Sequence, residues 1–143
     1  MLNDKNKDMR AFQKNIAGHD ITMSKAWAGY RKVWGAEHPT WKVVLSIDGN
    51  RPMGVIFHDS ISNGKKMEWS EDDWMNCLEC IFMDAFAYED NPDEGDFFRA
   101  FGYDEDNMAD GKRAYKSCRS TYEKLSKMVD MDGLIAICNA IED

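Results

Sequence analysis

The sequence lacks the segments that mark a membrane-spanning or exported protein. No run approaches the roughly 18 apolar residues that a bilayer-crossing helix needs. From position 3 the chain reads Asn-Asp-Lys-Asn-Lys-Asp, which does not resemble the apolar part of a secretory signal. We therefore expect an intracellular protein without membrane contact, whose 4 cysteines are reduced thiols.

The sequence also lacks the motifs of common catalytic and metal-binding sites. It has no GxSxG nucleophile turn, no glycine-rich phosphate loop and no HExxH pair. An EF-hand loop that starts at Asp104 fails, because Met108 and Ala109 occupy its fifth and sixth positions. Cys77-x-x-Cys80 is a single pair inside a predicted helix, whereas structural zinc needs four ligands and a redox pair belongs at a helix N-terminus. We therefore expect no enzymatic activity, no cofactor and no metal.

Internal repeats, low-complexity tracts and flexible interdomain linkers are absent from the 143 residues. With 43% apolar and 31% charged residues, the composition is that of a globular protein rather than a disordered chain. A chain of this length suits one domain. We expect a single domain over 1–143, with a basic helical N-terminal extension at 1–38, a core at 40–129 and a C-terminal helix at 131–143.

The charge is distributed very unevenly along the chain. Residues 68–110 contain 15 acidic side chains and a single base, Arg99, which gives this segment a formal charge of −14. Residues 1–67 carry +5 and residues 111–143 carry +1, which together account for the net charge of −8. A concentrated anionic surface attracts basic partners and repels nucleic acid. The sequence therefore predicts a partner with a basic surface and disfavours direct nucleic-acid binding.

Apolar spacing predicts one or two helices in the first 38 residues. Steps of four, three and four separate Met23, Trp27, Tyr30 and Trp34, and residues 9–16 show a similar pattern. A stripe of this kind usually faces the core. The alternative is a partner-binding helix that presents these aromatic side chains together with the neighbouring bases.

Alternating apolar residues then predict a β-hairpin. Residues 41–47 have the period of a strand, Asp48-Gly49 is a strong turn signal, and residues 53–58 form the returning strand. Pro52 cannot donate to a ladder, so the returning strand is expected at an edge. An isolated hairpin is marginal in water, and it must therefore pack on helices or gain a further strand.

Helical patterns return in the second half of the chain. Ser70 and Asp73 match a capping box, and Gly102 is a typical residue to end a short helix. The predicted fold class is α+β, a β-hairpin at about 41–58 packed with four to six α-helices and mostly helical. The predicted elements after the hairpin are a polar loop at 60–66 and helices at about 70–89, 94–101, 107–129 and 131–143.

Two stretches resemble a known family. They are the strand pair beginning at Trp41 and the segment Asp-Phe-Phe-Arg-Ala-Phe-Gly-Tyr-Asp-Glu-Asp beginning at Asp96, with a Tyr-x-x-Cys pair in the helix that follows. Over residues 40–128 the chain resembles small, uncharacterised accessory proteins of tailed bacteriophages and prophages. Asn107 stands where the family pattern has serine. The resemblance implies a phage or prophage origin, and hence the cytoplasm of a bacterial host, and it implies no site residue.

The acidic segment is the predicted functional surface. Carboxylates at about the density of phosphates exploit the same lysine and arginine field that binds nucleic acid. Apolar anchors supply much of the affinity in such interfaces, and charge supplies rate and specificity. The predicted partner-binding residues are Glu71, Asp72, Asp73, Met83, Phe86, Glu89, Asp90, Asp93, Glu94, Asp104, Glu105 and Asp106.

Three functional interpretations of this surface remain open. With a phage origin, it predicts an anti-CRISPR-like inhibitor that binds the basic groove of a host nucleic-acid-targeting defence protein or ribonucleoprotein. An alternative is a non-enzymatic phage accessory or regulatory protein that acts as a homodimer or scaffold, with contacts from the apolar helix at 134–141 and the hairpin edge. A solvated surface that only confers solubility is the third.

Overall fold

The computed structural model describes residues 11–33, 36–58 and 69–142 of the chain. Trp34, residues 9 and 10 of the predicted first helix, and the predicted loop at 60–66 lie outside these ranges. Within them, the chain forms a four-stranded sheet followed by four α-helices. The elements are β1 Ala11–Ile16, β2 His19–Val33, β3 Ala36–Ile47, β4 Met53–His58, α1 Glu71–Phe86, α2 Glu94–Phe101, a 3₁₀ turn Glu105–Asn107, α3 Met108–Met128 and α4 Met131–Glu142.

The strands form an antiparallel meander in the order β1-β2-β3-β4. Ala17 and Gly18, which join β1 to β2, have φ of 52° and 84°, and Asp48 and Gly49 after β3 have φ of 55° and 72°. Two successive residues with positive φ are what a tight primed hairpin turn requires. The predicted Asp-Gly turn is confirmed, and the Ala-Gly turn adds a second hairpin that was not predicted.

One face of the sheet is buried. On β3, Trp41, Val43, Leu45 and Ile47 are 2% exposed or less, whereas Lys42 between them is exposed. This period of two places the four apolar side chains on one face, as in any strand with a single buried side. The helices therefore pack on that face, and the opposite face of the sheet is open in the described part of the chain.

β2 and β3 continue beyond both edge strands as a two-stranded arm with a bulge at its base. Trp27 pairs with Trp41, but Tyr30 pairs with Pro39, so β2 has one more residue than β3 between these pairs. Gly29, inside the bulge, has φ of 86°, a conformation that glycine adopts without strain. The bulge therefore depends on a glycine at this position.

The prediction of a mostly helical fold with N-terminal helices is wrong. Residues 11–33 form β1 and β2, so the predicted hairpin is only half of a four-stranded sheet. The three-residue step from Trp27 to Tyr30 resembles a helical period because the bulge inserts one residue into β2. Both side chains then lie on the same side, with their ring centres 5.3 Å apart.

The helices of the second half begin and end close to the predicted positions. Ser70 and Asp73 form the reciprocal bonds of a capping box at the start of α1. Gly102 ends α2 in the left-handed region with φ of 76°, and Val129 ends α3 in an extended conformation. Local capping chemistry therefore accounts for the start of α1 and the end of α2, whereas Asn107 at the start of α3 makes no side-chain capping bond.

A single main core joins the sheet to the helices. α1 contributes its whole buried side, including Trp74 and Leu78, which are fully buried. Leu125 of α3 and Leu134 and Ile137 of α4 are 1% exposed or less and belong to the same core. Each such side chain contributes roughly 1.5–3 kcal/mol through its removal from water. The C-terminal helix is therefore part of the core.

Candidate functional site

The carboxylates predicted to form one surface lie in two groups at opposite ends of α1. Glu71, Asp72 and Asp73 are in its first turn. The other carboxylates follow its C-terminal end, and a helix of 16 residues is about 24 Å long. We call the second group the acidic end, and it consists of Glu89, Asp90, Asp93, Glu94, Asp96, Asp104, Glu105, Asp106 and Asp110.

The group at the start of α1 has local structural roles. The Asp73 carboxylate accepts a hydrogen bond from the Ser70 backbone amide at 2.8 Å, as part of the capping box. The Glu71 carboxylate lies 3.3 Å from the ammonium of Lys14 on β1. Acidic residues in a first turn also favour the helix through its dipole. These three acids are therefore explained by folding, and the structure separates them from the acidic end.

A cluster of aromatic rings positions the acidic end. The ring of Phe97 on α2 lies 5.3 Å from that of Tyr115 on α3, and it stacks on Tyr103 at 6.2 Å. Tyr88, just after α1, lies 5.6 Å from Tyr115. The Tyr115 hydroxyl donates to the carbonyl oxygen of Pro92 at 2.9 Å. Contacts of this kind stabilise ring pairs beyond their burial, and they hold the turns that carry the acids.

Only four of the nine carboxylates in the acidic end have a partner within the described residues. Asp93 and Asp104 accept hydrogen bonds from backbone amides at 2.8 and 2.9 Å. Asp96 and Asp110 each pair with the arginine three residues further on. The remaining five form no hydrogen bond or ion pair through their side chains with a described residue: Glu89, Asp90, Glu94, Glu105 and Asp106.

The two predicted apolar anchors differ in exposure. Met83 on α1 is 58% exposed, whereas Phe86 is half-buried and packs against the main core. Phe101, which was not predicted, is 50% exposed at the end of α2, where it contacts Phe97 at a ring distance of 4.7 Å. Met83 and Phe101 are therefore the large apolar side chains available to a partner near the acidic end.

A cleft of about 210 Å³ lies between β4, α1 and α3. Asp84 lines it from the last turn of α1, so the cleft adjoins the acidic end. Thr121 on α3 is only 4% exposed, and its hydroxyl forms no hydrogen bond with the described residues. The residues that line the cleft are Val55, Ile56, Phe57, Cys80, Ile81, Asp84, Ser117 and Thr121.

The pKa values of two titratable groups beside this cleft, Asp84 and Cys118, are raised. Burial raises the pKa of the Asp84 carboxyl to about 6. Asp84 as a whole residue is exposed, so water screens part of this effect. Burial, and then the charge of Asp84, raise the pKa of the Cys118 thiol to about 12. Cys118 is therefore protonated at neutral pH and is not a nucleophile.

His19 and Asp48 form a polar pair that joins the start of β2 to the turn after β3. His19 Nδ1 lies 2.7 Å from a carboxylate oxygen of Asp48, and the Asp20 amide donates to the other oxygen at 2.8 Å. The hydrogen bond with His19, followed by the one from the Asp20 amide, lowers the pKa of Asp48. No hydroxyl or thiol of the described residues is hydrogen bonded to His19. The pair is therefore a contact between turns and lacks a nucleophile.

The cysteines and the other candidate ligands form no assembled site in the described ranges. All four cysteines lie in these ranges, and none forms a disulfide. Cys77 is fully buried in the main core, and Cys80 lines the cleft. Among the residues that the structure describes, no three His, Cys, Asp or Glu side chains are placed to hold a metal ion. None of the described helices has the length and apolar composition that crossing a membrane requires.

Sequence reasoning missed the cleft residues Asp84, Ser117 and Thr121. Asp84 was one of 15 acids in its segment, and nothing in the local sequence distinguishes it. The spacing of four between Ser117 and Thr121 places them on the same side of α3, which is a weak signal. Their approach to Asp84 depends on how α1 and α3 pack, which a single-helix pattern does not contain.

The helix that was predicted to support a homodimer buries most of its apolar surface. Leu134 and Ile137 are in the main core, and of this helix's described large apolar residues only Ile135, at 42%, is exposed.

No protein-family model matches the sequence, no curated protein is significantly similar to it, and no solved structure is significantly similar to its fold. Function is therefore argued from the chemistry of the acidic end.

Proposed function

We propose that this chain is a non-enzymatic binding protein whose acidic end occupies the basic, nucleic-acid-binding groove of a protein partner. The resemblance to phage accessory proteins suggests the class of partner, a host defence complex that targets nucleic acid. On this proposal the chain is an anti-CRISPR-like inhibitor. The observation that supports it most is the set of five carboxylates in the acidic end that have no described hydrogen-bond or ion-pair partner.

The unpaired charge has a cost for folding. The acidic end carries nine carboxylates and one guanidinium, a formal charge of −8 within residues 89–110. Like charges at this density repel each other and destabilise the compact state. Natural sequences tend to depart from locally favourable choices at functional sites. A binding role accounts for this repulsion, because a basic partner relieves it.

The charge density of the acidic end is comparable to that of nucleic acid. α2, with 8 residues, is about 12 Å long. Double-stranded DNA displays about seven phosphates over the same length. The acidic end places nine carboxylates on and around this helix. Asp96 and Asp110 are paired with arginines, so a groove built from lysine and arginine for phosphates meets the other seven of these negative charges.

The aromatic cluster supports a preorganised surface. Tyr88, Phe97 and Tyr115 hold the turns on either side of α2, and Asp93 and Asp104 fix the backbone through capping hydrogen bonds. A surface that is already ordered loses less conformational entropy on binding. Met83 and Phe101 add exposed apolar area at the rim.

The test is partner capture with a charge-neutralised variant. The variant replaces three carboxylates that have no described hydrogen-bond or ion-pair partner: Glu89→Gln, Glu94→Gln and Glu105→Gln. The intact chain is expected to recover a nucleic-acid-handling complex from defence-active bacterial cells at low salt, and the variant is expected to bind the purified complex about 100-fold more weakly. Nucleic acid of the complex's own substrate class should compete with the intact chain.

The matched control removes the same charge elsewhere in the molecule. It carries Glu79→Gln, Glu123→Gln and Asp132→Asn, three acids outside the acidic end. This control should bind within about twofold of the intact chain, because its three acids are not part of the acidic end. An equal loss of affinity in both variants would show that net charge alone attracts the partner. Unchanged binding of the first variant would contradict the proposal.

A further inference from the structure

The exposed side of α3 carries a row of mostly basic side chains. Steps of four, three, four and four residues place them on one side of the helix. From residue 112 to residue 127 the row is about 22 Å long. We call it the α3 stripe, and it consists of Lys112, Lys116, Arg119, Glu123 and Lys127, all exposed. Four bases and one acid give the stripe a formal charge of +3 in a chain whose net charge is −8.

Most of the positive charge of the α3 stripe is not used within the fold. Arg119 pairs with Glu123 at 3.6 Å. Lys112, Lys116 and Lys127 form no hydrogen bond or ion pair through their side chains with a described residue. The stripe therefore presents three ammonium groups that a binding partner can reach.

The α3 stripe adjoins the acidic end. Asp110 of the acidic end is in the first turn of α3, ahead of the stripe on the same helix. Burial, and then the neighbouring Tyr88, raise the pKa of the Tyr115 hydroxyl. To a smaller extent the charge of Arg119, in the stripe, lowers this pKa, and that of Glu94, in the acidic end, raises it. Tyr115 therefore lies near both surfaces, which are side by side.

Two surfaces of opposite charge that lie side by side on one molecule are complementary to a second copy of it. A two-fold axis between them places the acidic end of each copy on the α3 stripe of the other, so both contacts form together. Nucleic acid fits less well, because the carboxylates beside the stripe repel its phosphates. A second copy presents bases to those same carboxylates, so it is the occupant that the charges favour.

We propose that the α3 stripe is the docking site for the acidic end of a second copy, in a two-fold dimer held mainly by charge. The ammonium groups of Lys112, Lys116 and Lys127 face carboxylates of the second copy's acidic end. Phe101, which is 50% exposed in the same region, adds an apolar contact. Exposed charge pairs contribute little individually and are screened by salt, so this dimer is weak and sensitive to salt.

The dimer covers the acidic end and so regulates access to it. The α3 stripe of a second copy and the basic groove of a partner compete for the same carboxylates. Partner binding then requires the monomer, which predominates below the Kd of the dimer. This regulatory consequence rests on the proposed function, whereas the dimer itself does not.

The experiment is analytical ultracentrifugation of the purified chain between about 5 and 500 μM protein. At about 0.1 M salt a dimer with a Kd on the order of 50 μM is expected. The Kd should rise at least about tenfold at 1 M salt, because the Debye length falls from about 10 to about 3 Å. A monomer at every concentration would overturn the proposal, and so would a dimer equally stable at both salts. Species larger than a dimer would overturn the two-fold arrangement.

Reversing the charges of each surface identifies the groups that make the contact. The base variant carries Lys112→Glu and Lys116→Glu, and the acid variant carries Glu94→Lys and Glu105→Lys. Each variant alone should dimerise at least about 30-fold more weakly than the parent, since like charges then face each other. Circular dichroism of each variant shows whether its fold is retained. A 1:1 mixture should dimerise within about threefold of the parent, because the reversed groups are again opposite in sign.

The matched control reverses two exposed bases outside the stripe, with Lys42→Glu and Arg51→Glu. It changes the net charge as much as the base variant does. It should dimerise within about threefold of the parent, because these bases are not part of the stripe and long-range repulsion is screened at 0.1 M salt. Equal losses in the control and the base variant would overturn the proposal, and so would a mixture that stays monomeric. A fluorescent 12-nucleotide oligothymidylate that binds the parent but not the base variant would overturn the assignment to a second copy.

This test and the partner-capture test fail independently. Ultracentrifugation uses only the purified chain, so it does not depend on the acidic end being a groove-binding surface. A monomeric chain that captures its partner would reject only the dimer, and a dimer without partner capture would reject only the proposed function. Where both hold, the base variant should bind the partner at least as tightly as the parent, because its acidic end is uncovered. Weaker binding would contradict the regulatory consequence.

Discussion

The ammonium nitrogen of Lys25 lies 4.7 Å from the centre of the Trp69 ring. It is also 5.2 Å from the ring centre of Trp41 and 5.5 Å from that of Trp74. These three rings are 2% exposed or less, so a cation on β2 faces the most aromatic part of the core. The lysine that sequence periodicity placed on a possible partner-binding helix is instead a structural residue.

Replacing Lys25 with methionine should lower the free energy of unfolding by about 1–2 kcal/mol. Methionine keeps most of the aliphatic stem and removes the charge that the three indole rings attract. Urea denaturation followed by tryptophan fluorescence measures the change. Lys42→Met, on the open face of the sheet, is the matched control and should change stability by less than about 0.5 kcal/mol. If Lys25→Met left the free energy of unfolding unchanged, the contact between the ammonium and the rings would contribute nothing to stability.

Replacing Gly29 with alanine should destabilise the protein by about 1–2 kcal/mol. Its φ of 86° at the β2 bulge is costly for any residue with a Cβ atom. Nothing lies within 4 Å of the added Cβ, so a loss would report the backbone conformation and not a clash. Thermal denaturation of Gly29→Ala and of the parent protein measures this loss of stability.

Gly54→Ala serves as the control for Gly29→Ala. Gly54 lies in β4 without a positive φ, and its added Cβ would be at an ordinary 3.5 Å from the Lys42 side chain. This variant should be neutral or slightly stabilising. If both glycine variants behaved alike, the bulge would not require glycine.

Replacing Gly111 with alanine should destabilise the region of the acidic end by about 1–3 kcal/mol. An added Cβ would lie 2.8 Å from Tyr103 Cγ, and Tyr103 stacks on Phe97. Overpacking at this point displaces the ring or the helix. Chemical denaturation and NMR shifts of the aromatic ring protons measure the effect. Gly95→Ala on α2, whose Cβ would meet the flexible end of Arg99 at 3.4 Å and a carboxylate oxygen of Asp93 at 3.5 Å, should not destabilise the protein, because the second distance is an ordinary van der Waals contact.

Asp84 should make the protein less stable as pH rises through about 6. Its pKa is raised from 3.8 to about 6 in the folded state, so the folded chain holds this proton more tightly than the unfolded chain. The stabilising contribution is present below about pH 4 and is lost as pH rises through about 6. Other acids titrate in the same window, so the informative quantity is the difference between the parent and Asp84→Asn.

The Asp84→Asn variant should gain stability relative to the parent as pH rises. The gain at pH near 7.5 should be no more than about 1 kcal/mol, because solvent screens an exposed residue. Denaturation curves at several pH values measure this difference. A difference that does not change with pH would contradict the raised pKa. Glu79→Gln, measured in parallel, should show no such trend around pH 6.

The sequence predicted the second half of the fold better than the first. The capping box at Ser70, the glycine at position 102 and the Asp48-Gly49 turn are local features, and the structure contains all three. β2 was mistaken for a helix because a single bulge shifted its phase and gave Trp27 and Tyr30 a helical step. In β1, Phe12 and Ile16 are four residues apart, a spacing that places them on one side of a strand as well as of a helix. A bulge is defined by pairing with a neighbouring strand, which a one-strand pattern does not contain.

The sequence by itself determined the strongly acidic segment, the helix boundaries and the Asp-Gly turn, because charge, capping and turn chemistry act within a few residues. Only the tertiary structure decided that the acids form two groups at opposite ends of α1. It also decided that Asp84 and Thr121 share a cleft and that Lys25 lies over three indole rings. These relationships join residues from different elements, so they depend on how helices and strands pack.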